Sequence, residues 1–443
     1  MHSPSGGRRH AVVLGAGMAG LLAARVLTTH FDSVTIVERD PLPLTIADRR
    51  GVTHGRRAHS LLARGIEVVA ELFPGLDDEM VAHGGLRADI QGQGRWYNEG
   101  LLLRQAPSGL MALMGSRALL EGLVRNRVRA LSGVEFIEEH EATGLISDST
   151  GKRVVGVRVT SSQFGGKERP LDADLVIDAT GRAARGPAWL VELGYEAPAQ
   201  ERVRVGLRYA TRHFRRRPQD AAGDMAVVIN QTDDIRRGGV MIAQENDRWL
   251  VTLRGYLDET PPLDLAGFLG FAASLPVPDI HEVIRDAEPI GEAVPYRFPA
   301  SERRRYELLD RFPEGYLVIG DGICSFNPVY AQGMTVSALQ AALLGECLGS
   351  GEAKLAPRFF EQAARINEAP WSVVVGGDMR YLEMDGTQTE ESRQAGAFMA
   401  QVHLAASRDQ EVARTVVRLI SLVDGAEALQ DPAFVQRVLR AIN

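Results

Sequence analysis

The sequence predicts an α/β fold in which a parallel-sheet domain is interleaved with an antiparallel α+β domain and followed by a helical C-terminal region. Three observations support this prediction. Residues 10–38 run from apolar strand through glycine turn and apolar helix to a second apolar strand. Residues 203–255 read as four consecutive, mostly alternating strands, the pattern of an antiparallel sheet. A second strand–glycine–helix passage at 316–348 returns the chain to the architecture of its opening.

In chain order, HAVVL (10–14), a helix over 18–29 and SVTIVE (33–38) form a βαβ opening. A polar, arginine-rich connection (40–57) leads to a helix at about 59–72, and short strands around Trp96 and Tyr97 occupy 86–114. A helix at 117–131, a strand at 134–138, a hairpin-like pair within 142–161 and a strand at 172–178 come next. The antiparallel block spans 203–214, 224–231, 238–245 and 248–255, with helices near 264–275 and 278–287. The reading assigns 1–85, 115–185 and 295–365 to the first domain, 86–114 and 186–294 to the second, and 366–443 to the helical tail.

Of 50 basic residues only Lys152, Lys167 and Lys354 are lysines, and no basic block exceeds three arginines. With a net charge of −7, this composition gives no reason to expect nucleic acid or an anionic membrane as partner. Two cysteines make neither a disulfide framework nor a cysteine-rich zinc site. No secretory h-region and no run of about 18 apolar residues stands out, so a cytoplasmic location is expected. His54 and His59, five apart, do not form a metal motif.

The first constellation is VVLGAGMAGLLAA. Gly15, Gly17 and Gly20 stand at G-x-G-x-x-G spacing between strand and helix, with Ala16 and Met18 among them. Such glycines permit a tight turn, close approach of a pyrophosphate to the backbone, and close helix–strand packing. Free N–H groups at the helix start then face the phosphates. Glu38, followed by Arg39, ends the second strand 18 residues after Gly20, placed to bind a ribose hydroxyl. This is a Rossmann-type dinucleotide site. Late in the chain, strand 316–319 ends on Gly320-Asp321-Gly322, and Gly333-Met334 opens a helix after Pro328. A nicotinamide dehydrogenase needs no second glycine-flanked carboxylate near its other end, whereas FAD is longer and its ribityl hydroxyls suit a strand-terminal Asp. The second helix start then faces the flavin ring.

The chain resembles FAD-dependent monooxygenases of the para-hydroxybenzoate hydroxylase fold, most closely the actinobacterial flavin-dependent epoxidases of polyether polyketide biosynthesis. The resemblance rests on GAGMAG, RRGVTHGRRAHSLL, GSRALLEGLV, LVIDATGR, VGLRYATRHF and LVIGDGICSFNPVYAQGM. It implies that Arg49 reaches the FAD pyrophosphate and that Gly51 and Val52 lie against the flavin. By the same resemblance Arg117 contacts the cofactor and Asp321 the ribityl chain. Two departures stand out. Thr180 occupies the place of an Asp associated with NAD(P)H, which points to electrons from NAD(P)H arriving through a separate flavin reductase, direct reduction being the alternative. Thr53-His54 replaces a common Pro-Gln, making His54 the candidate catalytic side chain.

The resemblance implies a flavin C4a-hydroperoxide, formed with molecular oxygen, that epoxidises an alkene in an apolar polyketide- or terpenoid-like molecule. Epoxidation needs no protein base, and no base for activating a phenol is evident in the sequence. Aromatic hydroxylation, reduction of prenyl chains and a non-catalytic FAD-binding sensor are the alternatives. The halogenase signature Trp-x-Trp-x-Ile-Pro and a matching lysine are absent.

Overall fold

A computed structural model of the chain describes residues 9–49, 55, 59–162, 166–379 and 390–443. Its first sheet orders strands Tyr316–Val318, Leu175–Asp178, His10–Leu14, Ser33–Val37 and Val134–Ile137, all parallel. Parallel strands covered on both faces are unbroken apolar runs, which is why Ala11–Leu14 and Val176–Ile177 are buried. The helices Met18–Leu27 and Gly333–Gly349 pack against each other beside this sheet.

The second sheet has eight strands, ordered Cys324–Ser325, Pro289–Arg305, Ala199–Arg215, Arg248–Gly255, Arg237–Gln244, Ala226–Ile229, Gly94–Asn98 and Leu101–Leu102. Its pairings are antiparallel except that of Ala226–Ile229 with Gly94–Asn98. Its apolar side, including Phe214, Met241 and Trp249, shares one core with Val402, Val412, Val416 and Phe434 of the C-terminal helices. The helical tail therefore covers the antiparallel sheet.

Several boundaries differ from the sequence reading. The long strand Pro289–Arg305 has no counterpart in the sequence reading, and it carries Pro289, Pro295 and Pro299, residues unusual inside a strand. It is tolerated because its outer edge is paired only near the end, at Glu302↔Ser325 and Arg303↔Cys324. The helix expected from about 59 begins at Ala63, since Ser60 and Leu61 pair instead with Met114 and Leu113. A helix at Leu76–Ala82, entered through Gly75 at φ +77°, is additional. The helix expected over 278–287 is confined to Asp279–Ile284. His140–Ser147 and Val154–Ser161 do form a hairpin pair, widened to three strands by Arg169–Asp172.

Candidate active site

The glycine turn closes as close packing demands. Gly15 sits at φ +96°, and a Cβ on Gly20 would lie 1.9 Å from the Gly15 carbonyl oxygen. Past the turn, the first N–H groups of helix Met18–Leu27 have no intrahelical acceptor. Glu38 is buried at the end of its strand, and its Oε2 accepts from the Ala16 N–H at 2.8 Å. Arg49 lies across the same turn, donating to the Ala16 carbonyl at 2.9 Å and pairing with Glu38 at 3.1 Å. Its Nε donates to Glu121 at 2.5 Å.

Glu121 comes from helix Arg117–Arg129, whose Ser116 cap accepts from the Leu119 N–H at 3.1 Å. The Arg117 Nε donates to the second Glu121 oxygen at 2.9 Å, and Arg117 also reaches the Met334 sulfur. Burial would raise the Glu121 pKa, but Arg117 and Arg49 hold it below the usual carboxylate range. For Arg49, burial works downward and is outweighed by Glu121 and Glu38, which raise its pKa. The two arginines are thus fixed by a buried carboxylate rather than by surface ion pairs.

At the other end, the Gln340 Oε1 accepts from the Gly320 N–H at 2.7 Å, fixing the turn that carries Asp321. Asp321 accepts no hydrogen bond among the described residues, and burial raises its pKa against the pull of Arg182, Arg117 and Arg304. At Gly333, which opens its helix, an added Cβ would meet nothing within 4 Å. Thr180, by contrast, turns back on its own loop, its hydroxyl donating to Asp178 at 2.5 Å.

Gly15, Glu38, Arg49, Arg117, Thr180, Asp321 and Gly333 line one cavity of about 350 Å³, together with Gly17, Met18, Arg39, Pro328 and Met334, a volume within the range of small-molecule sites; Ala16, Gly20 and Glu121 stand behind its wall. Glu38 and Asp321 follow strands three places apart in the sheet order, hence about 14 Å apart across the strands. The result is an elongated slot at the C-terminal edge of a parallel sheet. It has a carboxylate toward each end, two helix starts with free N–H groups, and an arginine beside the glycines. That donor and acceptor set suits a long ligand with hydroxyls toward both ends and an anionic centre. Gly51, Val52 and His54 lie outside the described residues.

A second cavity, of about 260 Å³, is walled by apolar side chains of the antiparallel sheet such as Val228, Val240 and Ile242, and by His403 and Ile420 from the C-terminal helices. Pro328, Ala331 and Gln332 line both cavities. Sequence reasoning missed two polar residues here. Arg254 lines the apolar wall. Asp378, fully buried near the end of helix Leu355–Met379, accepts from the Asn327 Nδ2 at 2.9 and 3.0 Å and from the Tyr330 hydroxyl at 3.1 Å. Burial pushes the Asp378 pKa up to about 7. The available signal was an acid closing the apolar run SVVVGGDM.

Residues 8–253 match the family described as FAD binding domain. The chain is 35% identical over 430 residues to "Protein Rv3254" of Mycobacterium tuberculosis, covering 94% of this chain and 90% of that one. Among solved structures it resembles a flavoprotein/dehydrogenase from Cytophaga hutchinsonii (TM-score 0.68, 16% identity, 99% and 100% of the two chains). It also resembles p-nitrophenol 4-monooxygenase from Pseudomonas putida DLL-E4 (TM-score 0.66, 15% identity, 95% and 99%). At these identities the structural likenesses are of fold. The chain belongs to the FAD-binding family of flavin-dependent monooxygenases. It is an enzyme of that class with FAD as cofactor, and NAD(P)H and dioxygen are the usual co-reactants of the class.

Proposed function

We propose that the protein inserts one oxygen atom from dioxygen into a carbon–carbon double bond of an apolar, polyketide- or terpenoid-like molecule bound in the second cavity. The observation that carries this reading is the apolar cavity meeting the polar slot at Pro328, Ala331 and Gln332. FAD is assigned to the slot, with Gly15, Ala16, Gly17, Met18 and Gly20 at the pyrophosphate, and Glu38 and Arg39 at the adenosine ribose. Arg49 and Arg117 balance its negative charge, Asp321 receives ribityl hydroxyls, and Pro328, Gly333 and Met334 border the ring; for Gly51 and Val52, outside the described residues, the flavin role is the one the family resemblance implies. Bound and reduced, FAD supplies the activation of dioxygen. The protein's part is to orient the alkene toward the ring, exclude water with the apolar wall, and keep the cofactor's charges compensated. Thr180 supports a separate flavin reductase as electron donor, because its hydroxyl is committed to Asp178. His54, outside the described residues, is retained as the candidate catalytic side chain.

One observation favours a second reading, hydroxylation of a phenol. The Tyr330 hydroxyl, on a residue lining the apolar cavity, donates to Asp378, whose pKa of about 7 suits a proton acceptor. Isotopic labelling separates the two readings. With labelled dioxygen, reduced FAD and an apolar polyene, epoxidation yields product with one labelled oxygen and one alkene fewer. A labelled phenol with its ring intact selects hydroxylation. Label appearing only in hydrogen peroxide overturns both.

A further inference from the structure

Strand Arg248–Gly255 places Arg254 in the wall of the apolar cavity with only 1% of its surface exposed. A buried guanidinium is normally matched by a carboxylate, because taking an unpaired charge out of water is costly. Arg254 has none within 4 Å among the described residues. Among the described residues its bonds all run from Nη2, which donates to the Ile229 carbonyl at 3.1 Å, to Asn230 Oδ1 at 2.5 Å and to Gln231 Oε1 at 3.5 Å. The Asn230 oxygen is aimed by its own amide, since Asn230 Nδ2 donates to Asn98 Oδ1 at 2.6 Å. Nε is buried without a partner among the described residues. Space for the guanidinium comes from Gly238, where a Cβ would lie 2.8 Å from both Cζ and Nε.

The surroundings thus hold the side chain by one nitrogen with neutral oxygens, and bring no carboxylate of the described residues into contact with it at the edge of an apolar chamber. Asp378 lies within electrostatic reach without an ion-pair contact, and Arg254 pulls its pKa down against the larger effect of burial. We propose that Arg254 anchors an acidic oxygen, as a carboxylate or as an enol or phenol, carried by an otherwise apolar substrate. This deepens the monooxygenase reading and rests on it for the word substrate. Both candidate reactions accommodate it: the oxygen group is held at Arg254 while the apolar body lies toward Pro328 and Gln332.

The test uses the FAD-loaded full chain and three two-ring probes, 2-naphthoate, 2-naphthol and naphthalene, titrated by calorimetry. A charge-assisted hydrogen bond is equivalent to about 10–100-fold in affinity. Wild type should bind naphthoate or naphthol tighter than naphthalene by that factor, and whichever of the two binds tighter identifies the oxygen class. Arg254→Met should lose the preference while keeping naphthalene affinity and FAD content, and Arg254→Lys should retain most of it. Should Arg254→Met not fold, the wild-type ratio and Arg254→Lys decide the matter. Naphthalene binding as tightly as both oxygenated probes, no probe binding to wild type, or an unchanged ratio in Arg254→Met would overturn the proposal. These titrations involve no turnover. A failed oxygen-labelling experiment beside an intact binding ratio would sink the monooxygenase reading and spare the anchor, and the converse would do the reverse.

Discussion

Two carboxylates in the polar slot look alike in sequence and differ in what surrounds them. Glu38 already accepts from the Ala16 N–H and pairs with Arg49, whereas Asp321 accepts nothing among the described residues. Asp321→Ala is therefore expected to weaken FAD binding by about 10–100-fold, the scale of a charge-assisted hydrogen bond, and to leave the apoprotein's melting temperature unchanged. Glu38→Ala should weaken FAD binding comparably and also destabilise the apoprotein, because it strips a buried arginine of one partner. Flavin titration and thermal scans of both apoproteins check the contrast; equal melting behaviour in the two variants would refute it. Asp378 gives a pH signature. Its pKa rises from 3.8 in the unfolded chain to about 7 in the fold. Between those values the folded state holds a proton that the unfolded state has released, so its contribution is full below pH about 4 and is lost as pH rises through about 7. The loss is on the order of 4 kcal/mol. Asp378→Asn should flatten the dependence of stability on pH over that window; denaturant titrations at pH 5 and pH 8 measure it, and a slope equal to wild type would refute the assignment.

Helix Arg117–Arg129 carries Glu121 into contact with Arg49 and Arg117, all three nearly buried. Removing one partner of a buried ion cluster costs about 3–5 kcal/mol, because the remaining charges are left unpaired. Glu121→Ala is expected to lower apoprotein stability by that amount, and a change below about 0.5 kcal/mol in urea unfolding would contradict the arrangement. The elements most legible in the sequence were those whose determinants are local. The opening βαβ unit, with its glycines and Glu38, could be read because turn, helix start and strand end all lie within 29 residues, 10–38. The strand Pro289–Arg305 was illegible because its prolines are permitted by an outer flank that is unpaired along most of the strand, which no local pattern encodes. Asp378 depends on Asn327, 51 positions away. Arg254 was hidden by composition: in a chain with 50 basic residues, nearly all arginine, one more in an apolar strand gives no signal until its partners are seen to be neutral.

Across the whole molecule, the polar slot belongs to the parallel sheet and the apolar chamber to the antiparallel sheet with the C-terminal helices over it. Electron supply is a question at this scale. If Thr180 marks a chain that relies on a reductase, NADPH alone should bleach the bound flavin slowly in stopped flow, and adding a generic flavin reductase should restore turnover. Rapid bleaching by NADPH alone would refute it. The shared segment Pro328–Gln332 has a thermodynamic consequence as well. A ligand on one side that shifts this segment alters the wall met by a ligand on the other, and linkage makes that influence equal in both directions. Whatever factor the substrate applies to flavin affinity, flavin must apply to substrate affinity, so the chamber's preferences belong to the loaded enzyme and a flavin-free chain would sort candidate molecules by a different scale.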